Sequence, residues 1–147
     1  MFKTIFYSGS LSSYSDLTLL LMRIGVGALM LSHGAGKLLK LFGDEPVKFS
    51  DPLGVGATAS LAMAVFAEVF CSIFLIFGFA TRLSVVPLLI TMLVAVLLIH
   101  THDPFPKKEL PLLYIIIYLA IGIFGAGKFS VDNLISRKLS QRKSAVN

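Results

Sequence analysis

The chain has 147 residues, of which 56% are hydrophobic and 14% charged, whereas soluble domains run near 45–50% and about 25%. So small a globule exposes much of its area, and an apolar excess this large, with a mean hydropathy of +0.86, excludes a water-soluble domain and points to a bilayer. The lone Cys71 excludes an internal disulfide framework, a paired-cysteine redox centre and a cysteine-ligated zinc or iron–sulfur site; the basic residues behind the net charge of +5 gather at the C-terminus, which reads as a membrane-surface tail and not as a nucleic-acid site.

Crossing roughly 30 Å of hydrocarbon takes about 20 helical residues. The first stretch of that length, 17–39, carries Arg23, His33 and Lys37. At about 100° per residue, Arg23, Gly27, Met30, His33, Gly34 and Lys37 fall within an arc of roughly 120°, so one face holds every ionisable group of this helix. Arg23 interrupts the apolar run and no small-residue cleavage pattern follows, so the segment is expected to stay in the mature protein. The second stretch, 57–79, has Glu68 as its one charge, with Ser60, Ala64 and Ser72 on the same face at four-residue spacing and Cys71 three residues on. Small neighbours of this kind leave room for a partner helix or a ligand. The third, 83–101, contains Pro87, which removes a helical hydrogen bond and should bend the helix. The fourth spans 110–127, and the tail 128–147 contains a short amphipathic helix from Ser130, its N-cap, to about Lys143, with Asp132 in its first turn.

Leu, Ile and Val fill these runs without two-residue alternation, so helices fit and barrel strands do not. The expected fold is all-α, an integral membrane antiparallel four-helix bundle forming one domain over 1–147. Lys3, Arg82, Lys128, Arg137, Lys138, Arg142 and Lys143 lie on one side of it, and Lys40, Lys48, Lys107 and Lys108 on the other. Seven basic residues against four place both termini in the cytoplasm of a multi-pass membrane protein by the positive-inside rule.

A charge at the bilayer centre costs from about 2.5 kcal/mol upward, so the intramembrane groups should face inward and pair. At about 1.5 Å per residue, Arg23 lies roughly 9 Å, Glu68 roughly 16 Å and His33 roughly 24 Å from the cytoplasmic end. Glu68 can therefore meet either. An Arg23–Glu68 ion pair that fixes helix register is the structural explanation of both residues. Lys37, near a helix end, can snorkel to the headgroups. His33 is less easily assigned to the headgroups, because it lies inside the outer boundary. His100 comes level with His33, and with His102 and Glu109 they form an outer-facing polar cluster. Two histidines at one depth raise haem ligation, but nothing else marks a haem pocket, and histidines in loops commonly meet water, so neither haem nor a metal is expected.

Several segments carry a resemblance: Arg23-Ile24-Gly25-Val26-Gly27 running into His33-Gly34-Ala35-Gly36-Lys37-Leu38, Glu68 leading into Phe77-Gly78-Phe79-Ala80-Thr81-Arg82, Glu109-Leu110-Pro111-Leu112-Leu113, and Gly125-Ala126-Gly127-Lys128-Phe129-Ser130-Val131-Asp132. In this order and spacing the chain resembles the DoxX family of small bacterial membrane proteins over about 17–134. The resemblance implies a link to quinone-linked respiratory complexes, membrane oxidoreductase assemblies and oxidative-stress defence. It also implies Arg23, His33, Lys37, Glu68 and Glu109 as functional positions. The lone Cys71 speaks against a thiol relay, and redox work would need a respiratory or redox partner protein to supply the centre.

Two functions follow. In the first, the chain is a quinone- or quinol-handling subunit, at most part of a quinone-linked oxidoreductase. His33, Lys37, Glu68, His100 and Glu109 would then bound a quinone-like ligand in the outer half of the bundle, where an apolar slot and hydrogen-bond donors meet. In the second, it is a non-enzymatic lipid-binding or scaffolding subunit whose charges only set register. The inner half is expected to hold Arg23 and otherwise aliphatic packing.

Overall fold

A computed structural model describes residues 14–144, with side chains through Gln141. Lys3, Asn147 and the Arg142 and Lys143 side chains lie outside the described residues, so the basic count is not matched to structure at those positions. The described residues form five helices and no strand: α1 Ser15–Leu41, α2 Ala57–Phe77, α3 Thr81–Ile99, α4 Phe105–Phe124 and α5 Val131–Ser144. The helical class expected from the sequence holds, and the amphipathic helix expected in the tail is present as α5.

Three of the helices, α1, α2 and α3, are long and apolar enough to cross a membrane. The fourth, α4, starts at Phe105, five residues before the expected Leu110. Pro104 is extended and Pro106 falls in the first turn, where its missing N–H costs nothing, so this Pro-rich segment can open a helix. The early start brings Lys107, Lys108 and Glu109 into α4 and dilutes its apolar character. Helix α3 runs through Pro87, and Thr91 Oγ1 donates to the Pro87 carbonyl at 2.9 Å.

Packing follows side-chain size. A Cβ at Gly34 would lie 2.7 Å from Val69 Cγ2, and one at Gly27 would lie 2.6 Å from Ile76 Cγ1. Only glycine lets the α1 and α2 backbones approach this closely, as in other membrane helix pairs. Helix α1 packs along α2, α3 packs along α4, the middle of α2 touches α3, and α4 also meets α1. Val26, Met30, Cys71, Leu75, Val85, Leu88, Met92, Tyr114, Tyr118 and Ile121, drawn from all four long helices, make one core. The outward faces carry Leu83, Ile116 and Ile123, all well exposed. Apolar exposure on this scale suits lipid and not water.

The α2 helix is not regular. Residues Phe66–Cys71 form a π-helical turn around Glu68, and α3 ends in another, Ala95–Ile99. Such turns are rare and concentrate at functional sites.

Candidate functional site

A cavity of about 470 Å³ opens at the end of the molecule formed by the second half of α1, the first half of α2, the end of α3 and the start of α4, with Phe49, Ser50, Pro52 and Leu53 of the α1–α2 loop against it. Both π-helical turns contribute to its wall, through Glu68 and through Ala95 and Ile99. Met30, Met63, Ala64, Ile90, Met92 and Leu110 supply much of the apolar lining. That size and mixture are typical of small-molecule sites.

The wall holds an ion pair between Lys37 Nζ and Glu68 Oε1, and Lys107 also lines it. Glu68 is buried because Gly34 lets its backbone press against α1, while the Lys37 side chain stays about a third exposed. Lys37 also lies 5.8 Å from the centroid of the Phe49 ring, which ties the loop to the pair through a cation–π contact. His33 is exposed at the cavity edge, its ring edge-on to Tyr114 with centroids 6.2 Å apart. His100 lines the cavity from the α3–α4 turn, where its Nδ1 is 2.8 Å from Asp103 Oδ2. Lys107 Nζ donates to Asp103 Oδ1 at 3.0 Å. These two hydrogen bonds, from His100 first and Lys107 second, hold the Asp103 carboxyl below its usual range. Asp51, in the loop, accepts from Ser60 Oγ at 2.7 Å and from the Gly56 and Val55 amides, and its carboxyl is lowered by the same bonds. It therefore caps the start of α2.

His33, Lys37, Glu68 and His100 thus share one cavity. Glu109 and His102 are exposed and lie outside its lining. The register-fixing Arg23–Glu68 pair is replaced by a different pairing: Glu68 binds Lys37, and Arg23 Nη2 donates to the Phe129 carbonyl. The reason is direction. The guanidinium runs away from Glu68 into the space above Gly78, where a Cβ would overlap it. Lys37 accordingly turns inward to a carboxylate instead of ending at the headgroups.

Around Arg23 the other end of the molecule is more polar than expected. Gly78 is left-handed at φ 67°, and so is Ala80 at φ 45°. Ala80 is held in this conformation, uncommon for a residue with a Cβ, by Asp132, whose carboxylate accepts the Ala80 amide at 2.7 Å and the Thr81 amide at 2.9 Å. The Asp132 amide in return donates to the Gly78 carbonyl at 2.9 Å. Ser130 Oγ accepts from the Asn133 amide at 3.2 Å, the N-cap expected of it. Lys128 Nζ pairs with Asp16 at 3.1 Å. Two of the segments quoted above, Phe77–Arg82 and Gly125–Asp132, therefore close on each other over Arg23 and form a clamp.

Sequence reasoning missed Tyr114 and Tyr118, stacked at 5.8 Å with Tyr114 in the cavity wall. Their signal was present: two hydroxyls four residues apart on one face of a helix otherwise filled with Leu and Ile.

Comparison with known proteins adds identity to this geometry. The DoxX family model matches residues 18–101. An uncharacterized protein of Haemophilus influenzae is 29% identical over 136 residues, covering 88% of this chain and 98% of that relative. No solved structure matches.

Proposed function

Because the chain belongs to the DoxX family, we propose that it is a multi-pass membrane subunit with four spanning helices, α1 to α4, forming one antiparallel bundle that binds a quinone-like ligand in the cavity beside Lys37 and Glu68. The observation that carries this reading is the cavity of about 470 Å³, apolar over most of its wall, with cationic or neutral donors from Lys37, His33 and His100 in its lining. A quinone ring needs apolar walls and donors for its carbonyl oxygens, and one of those donors must be able to exchange protons. Lys37 and His33 are the donors, Tyr114 forms the face against which the ring lies, and Glu68 holds Lys37 in place. Arg23 takes no part. Glu109, implied by the family resemblance, belongs at the rim at most.

In this reading electrons come from a redox partner protein, and lipids cover the outward faces of the helices. The basic groups Arg82, Lys128, Arg137 and Lys138 at the clamp end favour a cytoplasmic side there, with the cavity toward the opposite face of an inner membrane. The test is titration of ubiquinone and of menaquinone into the purified full chain and into the His33→Ala and Lys37→Ala variants. Binding by the wild type that weakens in both variants is expected. Equal affinity in all three, or no binding by any, rejects the quinone and leaves a lipid-binding or scaffolding subunit.

A further inference from the structure

Several polar atoms are buried with no hydrogen-bond partner among the described residues: Glu68 Oε2, Ser72 Oγ, Tyr118 Oη, Thr81 Oγ1, and Arg23 Nε and Nη1. Scattered through a core, each would be a separate defect. Here they fall along one seam. Gly34 of α1 presses on Glu68, Gly27 on the Ser72 backbone, and Arg23 fills the space over Gly78. These three α1 contacts follow one another toward the clamp end, so Glu68, Ser72 and the guanidinium are successive levels, the first two roughly 6 Å apart along the axis. Tyr118 joins from α4. It is fully buried, stacks on Tyr114, and packs in one core with Cys71 and Leu75, which flank Ser72 on α2. Thr81 sits at the foot, beside the amides that Asp132 holds.

Each unpartnered buried group costs about 1–3 kcal/mol if left dry, and buried polar groups in folded proteins are satisfied by protein or by internal water. An acceptor-only carboxylate oxygen at one end, donor-only guanidinium nitrogens at the other, and hydroxyls able to do both between them form a sequence of matched donors and acceptors. We infer that internal waters, together with the Tyr118, Ser72 and Thr81 hydroxyls, join Glu68 to Arg23 in one hydrogen-bonded relay, so that a change of charge at the cavity is felt at the clamp that holds α5. The two charges that fail to meet directly are in this way connected. The relay does not depend on what occupies the cavity.

Two measurements on the full chain in lipid nanodiscs test it. X-ray hydroxyl footprinting modifies residues beside bound water even where bulk solvent cannot reach. The relay requires Tyr118 to be oxidised at a rate comparable with Tyr114 of the cavity wall; Tyr118 untouched at doses that oxidise Tyr114 shows a dry seam and overturns it. Hydrogen exchange at the Ala80 and Thr81 amides then reads the clamp. Glu68→Gln should change their exchange by at least about threefold, the lower range of coupling within a network. The same substitution in a Tyr118→Phe background, which keeps the ring and removes the hydroxyl, should not. Equal effects in both backgrounds, or none in either, overturn the inference.

Discussion

Cutting the Lys37–Glu68 ion pair from its two ends should give unequal losses. Lys37 is 31% exposed and Glu68 2%. Lys37→Met leaves a carboxylate stranded in the core, which costs about 3–5 kcal/mol. Glu68→Gln leaves an ammonium that can turn toward solvent, so the loss is that of a part-exposed pair, about 0.2–1 kcal/mol. At roughly 2–4 °C per kcal/mol for a chain of this size, the first variant should melt roughly 6–20 °C below the wild type and the second less than about 4 °C below it. The double variant should melt close to Glu68→Gln, because the stranded charge is gone. The protein has no tryptophan, but Cys71 is its one thiol and is buried. A fluorogenic maleimide that reacts as Cys71 emerges on heating therefore reports unfolding in detergent. Equal falls, or a larger fall for Glu68→Gln, would refute the reasoning and show that Glu68 answers some other cation.

Gly78→Ala places a Cβ onto the Arg23 guanidinium, 2.6 Å from Ser130 Cβ, at a positive φ; it should destabilise by more than about 1 kcal/mol, and an unchanged melting temperature would show that the clamp yields freely. Asp132→Asn weakens the bonds to the Ala80 and Thr81 amides and should cost about 0.5–2 kcal/mol, in the range of other lost caps, with faster exchange at those amides as the readout. The Asp103 carboxyl is lowered in the folded chain, so its contribution is fully present above the ordinary carboxylate range and is lost as pH falls through the lowered value. Protection of the Thr101, His102 and Asp103 amides, taken relative to the intrinsic exchange rate at each pH, should therefore fall in acid below about pH 4, and Asp103→Asn should remove that dependence.

The helical class, the approximate helix bounds and the gathering of His33, Lys37 and Glu68 at one cavity were legible, because a 3.6-residue period and the cost of intramembrane charge leave few arrangements open. The pairing was not. Axial bookkeeping put Glu68 within reach of Arg23, but depth along a helix does not say which way a long side chain runs, and Gly78 on another segment offers the guanidinium a pocket in the opposite direction. The π-helical turn at Glu68 was equally hidden, since nothing in Phe66–Cys71 departs from ordinary helix formers. Asp132 was placed correctly in the first turn of α5, yet its second task, capping α3, depends on two segments 52 residues apart meeting in space. Glu109 fell outside the cavity because α4 begins early and turns that residue outward.

The clamp also bears on how the protein is made. Arg23 lies in α1, and the carbonyl that receives its guanidinium belongs to Phe129, 106 residues later. At about 5–20 residues per second, translation leaves that cation unanswered for roughly 5–20 s. This part of the fold therefore closes late: α1 and α2 are already made, and can pack through Gly27 and Gly34, before the segment that receives the guanidinium exists.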